Sequence, residues 1–248
     1  MFYYRKIGEK NFPFTDLHAH DPHNAKVHRE YELQRRMDDF YYKAFSLIRY
    51  NRVPGDYLEF GCGSTIRSFR FALKYSRLEP FENRRLFAFD SFAGLPEVSS
   101  SDHEQWKTGS MAVSVDQFRE VLGHYDAKEG RDFHTVQGFF DKTLVGHKPE
   151  EYGLNAAAFV HVDCDLYSST VPVLEFITPL LQPGTVLSFD DWYCENADPR
   201  RGEQRAFNEW RKKSGKKFRL DPYHQFGWHG MSFIVNPASP PSFLKSFG

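Results

Sequence analysis

The sequence predicts an α/β fold built around a parallel sheet, on three observations. Two apolar runs, at residues 156–170 and 184–195, have the length and the branched or aromatic composition of buried parallel strands. The stretch TVPVLEFITPLL between them is long enough for a crossover helix, the connection that makes neighbouring strands parallel. Upstream, a further strand runs into a glycine turn and a helix, in DYLEFGCGSTIRSFRFALKYS. The 248 residues fit one sizeable domain, and no linker or internal repeat divides them.

The composition is that of an ordinary globular protein and excludes several classes of function. Hydrophobic residues make up 40% and charged residues 26%, while the high aromatic fraction of 17% indicates a well-filled core or an aromatic-lined cleft. The net charge of -1 gives no basic field that would attract nucleic acid or an anionic membrane. No apolar run approaches the roughly 20 residues of a membrane span. Three cysteines without CxxC spacing and an N-terminus unlike a signal peptide predict a reduced, cytoplasmic protein.

The first part of the chain is rich in histidine. We predict that residues 1–27 are irregular and that residues 28–51 form a helix, which ends at the breaker in residues 53–55. The histidines of this part are His18, His20, His23 and His28. An HxH pair can bind metal and opens the barrel amidohydrolases, but the further strand-end ligands and the longer barrel are missing. A polar loop or a lid over the cleft is therefore the preferred interpretation.

A strand, a glycine turn and a helix, at residues 57–60, 61–64 and 65–75, form the geometry that cradles a nucleotide. Glycines let the backbone approach a ligand closely, and Glu59 lies two residues before the first of them. The next strand, RRLFAFD, ends in Asp90, where an acid would hold a ribose diol. Because the spacing is longer than in a dinucleotide unit and GxGxxG is absent, the pattern favours the adenosine of S-adenosylmethionine over a dinucleotide. An ordinary strand-to-helix turn is the alternative for the GxG alone.

The remaining elements alternate between strand and helix. The long loop SFAGLPEVSSSDHEQWKTGS precedes a helix at residues 113–124, and DFHTVQG forms a third strand that ends near Gly138. A short helix then begins at Phe139, whose ring could lie on adenine or belong to the core. Later elements are strands at residues 160–163 and 185–190, a helix at 200–213, and closing strands at 218–220 and 231–235.

Four aspartates follow the predicted fourth and fifth strands: Asp163, Asp165, Asp190 and Asp191. Because adjacent parallel strands end side by side, we expect these carboxylates to crowd one edge of the sheet. Several carboxylates within a few ångströms repel one another unless a proton or a cation lies among them. An all-oxygen cluster suits a hard cation, with Mg²⁺ first and Ca²⁺ or Mn²⁺ as alternatives. Solvated strand-end acids, or a helix N-cap at the second pair, are the other interpretations.

These residues also carry a resemblance to a known family. The segments EFGCG, FAFDSFAGLPE, QGFFDKTL, VHVDCDLYSST, LQPGTVLSFDDW and GEQRAFNEW, in this order, resemble the macrocin O-methyltransferase (TylF-type) family. Its members are class I S-adenosylmethionine-dependent enzymes that methylate sugar hydroxyls of macrolide and aminocoumarin antibiotics and related glycosides. The resemblance covers residues 55–210. CGSTIRSF departs from it, because the family more often has a small-residue or aromatic-glycine turn there.

The resemblance implies a Rossmann-like three-layer sandwich. Its seven-stranded sheet is mostly parallel with one antiparallel strand, and the first and fourth strands are central, so cofactor and metal meet at the switch point. In this arrangement residues 1–52 are an N-terminal helical and irregular extension, residues 53–236 the core and residues 237–248 a tail.

The resemblance further implies a role for single positions. Asp163, Asp190 and Asp191 match metal ligands, and Asp165 matches a general base that takes the proton of a metal-held sugar hydroxyl. Residues two apart in an extended chain point to the same side, so we expect Asp165 to face the cleft with Asp163. The implied cofactor-binding residues are Glu59, Gly61, Cys62, Gly63, Ser64, Asp90, Ser91, Gly138, Phe139 and Asp163.

Three functions compete at this point. The first is a metal-dependent sugar O-methyltransferase whose acceptor is a glycoside, a nucleotide sugar or a glycosylated natural product. The second is a methyltransferase for catechol-like or other phenolic acceptors. Enzymes of the second kind commonly use a Lys near the metal as base, and the residues after Asp163 contain none. The third is a non-catalytic protein that binds an adenosine ligand, and such a protein would not need the four aspartates of the acidic cluster. We expect a small sugar-containing acceptor as partner, and the oligomeric state, including a homo-oligomer, stays open.

Overall fold

A computed structural model of the chain describes residues 2–7, 10–15, 25–63, 66–78, 84–214 and 217–238, with side chains from residue 28 onward. The regular elements in chain order are β1 (Phe2–Ile7), β2 (Lys10–Thr15), α1 (Ala25–Tyr50), β3 (Asp56–Phe60), α2 (Arg67–Ser76), β4 (Leu86–Asp90), α3 (Val115–Gly123), β5 (His134–Gln137), α4 (Phe140–Thr143), β6 (Ala157–Val162), α5 (Tyr167–Ile177), β7 (Val186–Phe189), α6 (Gly202–Ser214), β8 (Phe218–Phe226) and β9 (Gly230–Pro237). Short 3₁₀ turns lie at Pro149–Tyr152 and Thr178–Leu180.

The large sheet has seven strands in the order β5-β4-β3-β6-β7-β9-β8. The first five of these strands run parallel, and β9 runs antiparallel to both of its neighbours, β7 and β8. This confirms the predicted mostly parallel sheet with one antiparallel strand. Because β3 and β6 are adjacent at the centre, the strand order reverses between them, which is where open α/β sheets bind ligands.

The central strands are buried on both faces, as strands covered by helices must be. Every residue of β3, of β6 and of β7 is buried. Alternate side chains enter two separate apolar clusters, for example Tyr57 in the layer of α1, α2 and α3, and Leu58 in the layer of α5 and α6. The three-layer arrangement fixes the carboxyl ends of β3, β4, β6 and β7 beside one another.

Helix α1 belongs to one of these layers. Phe40, Tyr41, Phe45 and Ile48 are at most 1% exposed, and the ring of Phe40 stacks on that of Phe226 with centroids 4.3 Å apart. These four residues belong to the buried apolar face of α1. The division of the chain into extension, core and tail stays a prediction, but α1 itself packs against the sheet.

Two parts of the chain differ from the prediction. The prediction that residues 1–27 are irregular is wrong for the first part of this segment, because β1 and β2 pair antiparallel from Phe2↔Thr15 to Ile7↔Lys10. Strand β8 is longer than predicted and continues past Pro222, which an edge strand tolerates because one side of its backbone has no partner. The histidines His18, His20 and His23, the predicted cofactor residue Ser64, and the tail beyond residue 238 lie outside the described residues. None of the helices in the described part is long and apolar enough to cross a membrane.

Candidate active site

A cavity of about 490 Å³ opens at the carboxyl ends of the parallel strands. Its wall includes glycines of the turn after β3, acids that follow β6 and β7, and Asp90 at the end of β4. The sequence predicted that a cofactor turn and an acidic cluster would meet at this edge, and the structure brings both to one cavity.

The turn after β3 needs glycine for a steric reason. Gly61 has φ +83°, and a Cβ atom at this position would lie 1.8 Å from the carbonyl oxygen of Asp163. A Cβ at Gly63, with φ +56°, would lie 3.9 Å from a carboxylate oxygen of the same aspartate. The Asp163 N–H donates to the carbonyl of Phe60 at 2.8 Å, which continues the β3–β6 pairing. The predicted cofactor turn therefore lies in direct contact with the first acid of the predicted metal group.

Asp90 lines the cavity and holds the turn at the same time. Its carboxylate accepts the N–H of Cys62 and the N–H of Phe92, each at 2.6 Å. Burial raises the pKa of Asp90, and these hydrogen bonds partly offset the effect. The backbone N–H of Gly63 is a third donor to this carboxylate, which leaves about one of its roughly four lone-pair sites for a ribose hydroxyl. Ser91, also in the wall, donates to the carbonyl of Gly94 at 2.8 Å.

Other predicted cofactor residues lie behind the wall. Glu59 is fully buried beneath α2, where the hydroxyl of Ser68 donates to it at 2.6 Å and the hydroxyl of Tyr57 donates to its other oxygen. This burial raises the pKa of Glu59 to about 8. Glu59, Cys62 and Gly138 are not among the described residues that line the cavity. The neighbouring Phe139 does line it and is 38% exposed, as a ring available to a ligand would be.

The acidic cluster is as crowded as predicted. Asp163, Asp165 and Asp191 can each place one carboxylate oxygen within 4.8 Å of those of the others. Desolvation and then the surrounding carboxylates raise the pKa of Asp163 and of Asp165 well above the ordinary range. The same causes raise the pKa of Asp191 to about 6. A divalent cation would relieve this repulsion, and carboxylate oxygens are hard donors that fit such an ion.

Asp165 reaches the cluster in a way that strand alternation does not explain. Strand β6 ends at Val162, and Asp165 has φ +58°, so the chain turns instead of remaining extended. In this conformation the Asp165 N–H donates to a carboxylate oxygen of Asp191 at 3.1 Å. The expectation that Asp165 faces the cleft holds, but its stated reason was wrong.

Asp190 also lines the cavity, between two histidines. One of its carboxylate oxygens lies 3.9 Å from Nε2 of His161 and the other 3.6 Å from Nδ1 of His229. Burial lowers the pKa of His161 to about 4, so this ring is neutral near pH 7. Among the described residues the compact group of three contains Asp165 and not Asp190. The assignment of Asp190 as a ligand and of Asp165 as the base stays a prediction.

The comparison with known families agrees with the cofactor turn and the acidic cluster found in the cavity. The model of the macrocin O-methyltransferase (TylF) family matches residues 30–223, which include every strand that contributes to the cavity. The chain belongs to the TylF family.

Relatives of this TylF chain include two proteins of Streptomyces. The 8-demethyl-8-(2,3-dimethoxy-alpha-L-rhamnosyl)-tetracenomycin-C 4'-O-methyltransferase of Streptomyces olivaceus is 30% identical over 168 residues, which are 64% of this chain and 60% of the relative. The demethyldecarbamoylnovobiocin O-methyltransferase of Streptomyces niveus is 26% identical over 151 residues, which are 57% and 54% of the two chains. The match therefore spans only a little over half of each relative's own length.

Solved structures confirm the fold of this TylF chain. The O-methyltransferase NovP superposes with a TM-score of 0.66 at 21% identity, covering 81% of this chain and 80% of that one. The calicheamicin methyltransferase CalS11 superposes with a TM-score of 0.58 at 21% identity, covering 89% and 97%. These similarities establish the class I methyltransferase architecture.

The sequence reasoning missed a buried acid that holds the TylF acidic cluster together. Glu203, in the first turn of α6, is 1% exposed, and one of its oxygens accepts the Asp191 N–H at 2.9 Å. The backbone of Cys164 also hydrogen-bonds to this carboxyl group, so it links the chain after β6 to the chain after β7. The motif GEQRAFNEW contains Glu203, and an acid opening the helix after the predicted metal-binding strand was the available signal.

The sequence also did not lead us to expect that acidic side chains would dominate the wall of the cavity. Six aspartates line it: Asp90, Asp141, Asp163, Asp165, Asp190 and Asp191. Arg67, the first residue of α2, is the one Arg or Lys among the described lining residues. Its Nη2 lies 3.3 Å from Glu30, and its Nε is buried without a hydrogen-bond partner in the described part of the chain. Such a wall suits a ligand that is mainly cationic and carries one anionic group.

Proposed function

We propose that this TylF chain transfers a methyl group from S-adenosylmethionine to a sugar hydroxyl of a glycoside, assisted by a divalent cation, Mg²⁺ first. The single observation that carries the proposal is the contact between Gly61 and Asp163. A cofactor seated on the glycine turn and a cation held by the acids would be neighbours in one cavity. Methyl transfer to a hydroxyl needs this proximity, because the two reacting groups must be aligned.

The chain offers a group for each part of the cofactor. Asp90 would bind the ribose diol, and Phe139 would pack on adenine. Arg67 lies at the start of α2 beside the turn. Its Nε, which has no hydrogen-bond partner in the described part of the chain, would donate to the methionine carboxylate. The many aspartates complement the sulfonium and ammonium charges. This set recognises S-adenosylmethionine without the GxGxxG motif of dinucleotide sites.

The acids divide between binding and proton transfer. When bound, a divalent cation would fix the positions of two neighbouring acceptor oxygens and lower the pKa of a hydroxyl group. The sulfonium of the cofactor would supply an electrophilic methyl group. Asp163, Asp190 and Asp191 would hold the cation, and Asp165 would accept the proton of the sugar hydroxyl. Burial raises the pKa of Asp165, which makes it a stronger base than an exposed aspartate once it is ionised. Glu203 keeps Asp191 in place through its backbone N–H.

The free cysteines support a reducing, cytoplasmic location. Cys62 and Cys164 are buried and Cys194 is half-buried, and all three are unpaired. The oligomeric state, including a homo-oligomer, stays open.

Acceptor profiling with purified protein tests the proposal. We expect S-adenosylhomocysteine to form with Mg²⁺ and a deoxysugar glycoside, and not with simple phenols. Metal-stripped protein in EDTA should be inactive and should recover when Mg²⁺ is added. Calorimetry should show binding of S-adenosylmethionine and none of NAD. Full activity in chelator would refute the catalytic cation, and turnover of phenols alone would refute the sugar acceptor.

A further inference from the structure

The long loop between β4 and α3 is fastened to the segment that follows β7. Glu195 lies at the end of this segment and is 4% exposed. Its Oε1 accepts the backbone N–H of His103 at 2.9 Å and the indole Nε1–H of Trp106 at 3.2 Å. One carboxylate thus holds both the backbone and a side chain of a loop that is distant in sequence.

A second set of contacts fixes Glu195 itself. Nη2 of Arg201 lies 3.0 Å from its Oε2 and also donates to the carbonyl of Ser101 in the same loop at 2.8 Å. A Cβ at Gly202, which has φ +49°, would lie 2.7 Å from Cγ of Glu195. The glutamate therefore sits in a closed slot between the loop and the start of α6. Its position is determined by contacts from two separate parts of the chain.

The fastened loop forms one wall of the cavity. Trp106 and Met111 line it from the loop, and Cys194, next to Glu195, lines it from the segment that begins with Asp190 and Asp191. Since Glu195 binds Trp106, the indole is attached to the segment after β7, which also carries Asp190 and Asp191. Other apolar lining residues are Leu33, Leu95, Pro96 and Trp228.

The chemistry of this wall selects a class of acceptor. An aromatic ring beside hydrogen-bonding acids matches a pyranose, which has an apolar C–H face and a hydroxyl edge. A nucleotide sugar would bring a diphosphate into a cavity that six aspartates line, and the proposed cation would offset their charge only in part. The single guanidinium of the described lining, Arg67, lies beside the glycine turn and pairs with Glu30. Like charges that meet across a binding site disfavour the ligand.

We propose that Trp106, held in place by Glu195, is the surface against which a phosphate-free glycoside packs during methylation. This inference rests on the proposed function, since it assigns the acceptor of the same site. Trp106 touches the acceptor, and Glu195 is a positioning residue that acts through Trp106.

Steady-state kinetics with both substrates test the assignment. Trp106→Ala should raise the acceptor KM about 10-fold or more, because the acceptor loses its aromatic contact, while the calorimetric affinity for S-adenosylmethionine is unchanged. Trp106→Phe should give a smaller rise, since it keeps a ring but loses the hydrogen bond to Glu195. Glu195→Gln keeps an oxygen for Trp106 but gives up the ion pair with Arg201, and should also raise KM. Arg200→Ala, which removes an exposed ion pair in the same segment, is the matched control and should leave KM as in the parent.

A double-mutant cycle distinguishes positioning from general damage. If Glu195 acts through Trp106, Glu195→Ala combined with Trp106→Ala should be no worse in acceptor KM than Trp106→Ala alone. Thermal unfolding and cofactor affinity establish that each variant is folded. If an Ala variant does not fold, the acceptor KM of Trp106→Phe and Glu195→Gln still tests the proposal. Additive effects in the cycle, or an unchanged acceptor KM in active Trp106 variants, would overturn the assignment.

The class of acceptor is tested with a matched pair, a methyl glycoside and the nucleoside-diphosphate form of the same sugar. We expect the glycoside to have the higher kcat/KM, and an equal or better nucleotide sugar would overturn this part. If the parent methylates neither sugar nor any other glycoside, the proposed function fails and this inference falls with it. Unchanged KM values in active variants would overturn the inference alone.

Discussion

Glu59→Gln is the substitution whose effect follows most directly from the structure. The carboxyl group of Glu59 is fully buried, and its pKa is raised to about 8 from an ordinary value of 4.5, chiefly by desolvation. A glutamine has the same shape as the protonated acid. It can accept from Ser68 and donate to Tyr57, whose hydroxyl lies 2.8 Å from that of Tyr41. The substitution therefore removes the ionisation and keeps the packing.

The sign follows from the direction of the pKa change. A group whose pKa is higher in the folded state contributes stability that is complete below its unfolded pKa and is lost as pH rises through its folded pKa. For Glu59 this window runs from 4.5 to about 8. The difference between these values sets an upper limit of about 5 kcal/mol for the stability lost across the window. The parent protein should lose this free energy and the glutamine variant should not.

Urea unfolding at a series of pH values, in EDTA and without cofactor, measures the effect. At the acidic end of the window the two proteins should differ by less than about 1 kcal/mol, because both groups are neutral. At pH 8 to 9 we expect Glu59→Gln to be the more stable protein by at least about 2 kcal/mol. Taking the difference between the two proteins removes the contributions of the other buried acids, which titrate in both. A variant that is destabilised equally at every pH would refute the reasoning.

Three further predictions concern the cavity. Gly61→Ala should destabilise the fold by more than about 3 kcal/mol, because its Cβ meets a backbone oxygen at a positive φ; thermal unfolding as in the parent would contradict this. Asp165→Asn should lower kcat by about 10²- to 10⁴-fold with unchanged cofactor affinity, and near-parental kcat would show that this acid is not the base. Binding of Mg²⁺ should release protons, because acids with raised pKa values must ionise, and calorimetry in buffers of different ionisation enthalpy counts them. Heats independent of buffer would exclude these acids as ligands.

The fold was predictable where apolar patterning and topology act together. Strands β3, β4, β6 and β7 are continuous apolar runs between recognisable breakers, and the crossover helices make them parallel. The β1–β2 pair escaped prediction because its alternation is broken by adjacent charged residues, Arg5 and Lys6. The second half of β8 escaped because Pro222 is a strand breaker everywhere except at an edge, and edge position is a property of the whole sheet.

The site was predictable to the level of its strand ends. Asp163 and Asp191 could be placed together because parallel neighbours end at the same edge of a sheet. Glu203, Glu195 and His229 reach the same edge from a helix, a loop and a hairpin. Their contacts join residues far apart in sequence, and no local pattern in the chain encodes such pairs.

The contact between Gly61 and Asp163 gives the two halves of the cavity a physical route for energetic coupling. The backbone that would carry the cofactor and the backbone that would carry a cation ligand touch with no room for a methyl group. Any displacement that one guest imposes on this contact is transmitted to the other. By linkage, the factor by which Mg²⁺ changes the affinity for S-adenosylmethionine equals the factor by which S-adenosylmethionine changes the affinity for Mg²⁺. The size of that factor, measured by titrating each ligand with the other present and absent, reports how strongly the contact couples the two sites.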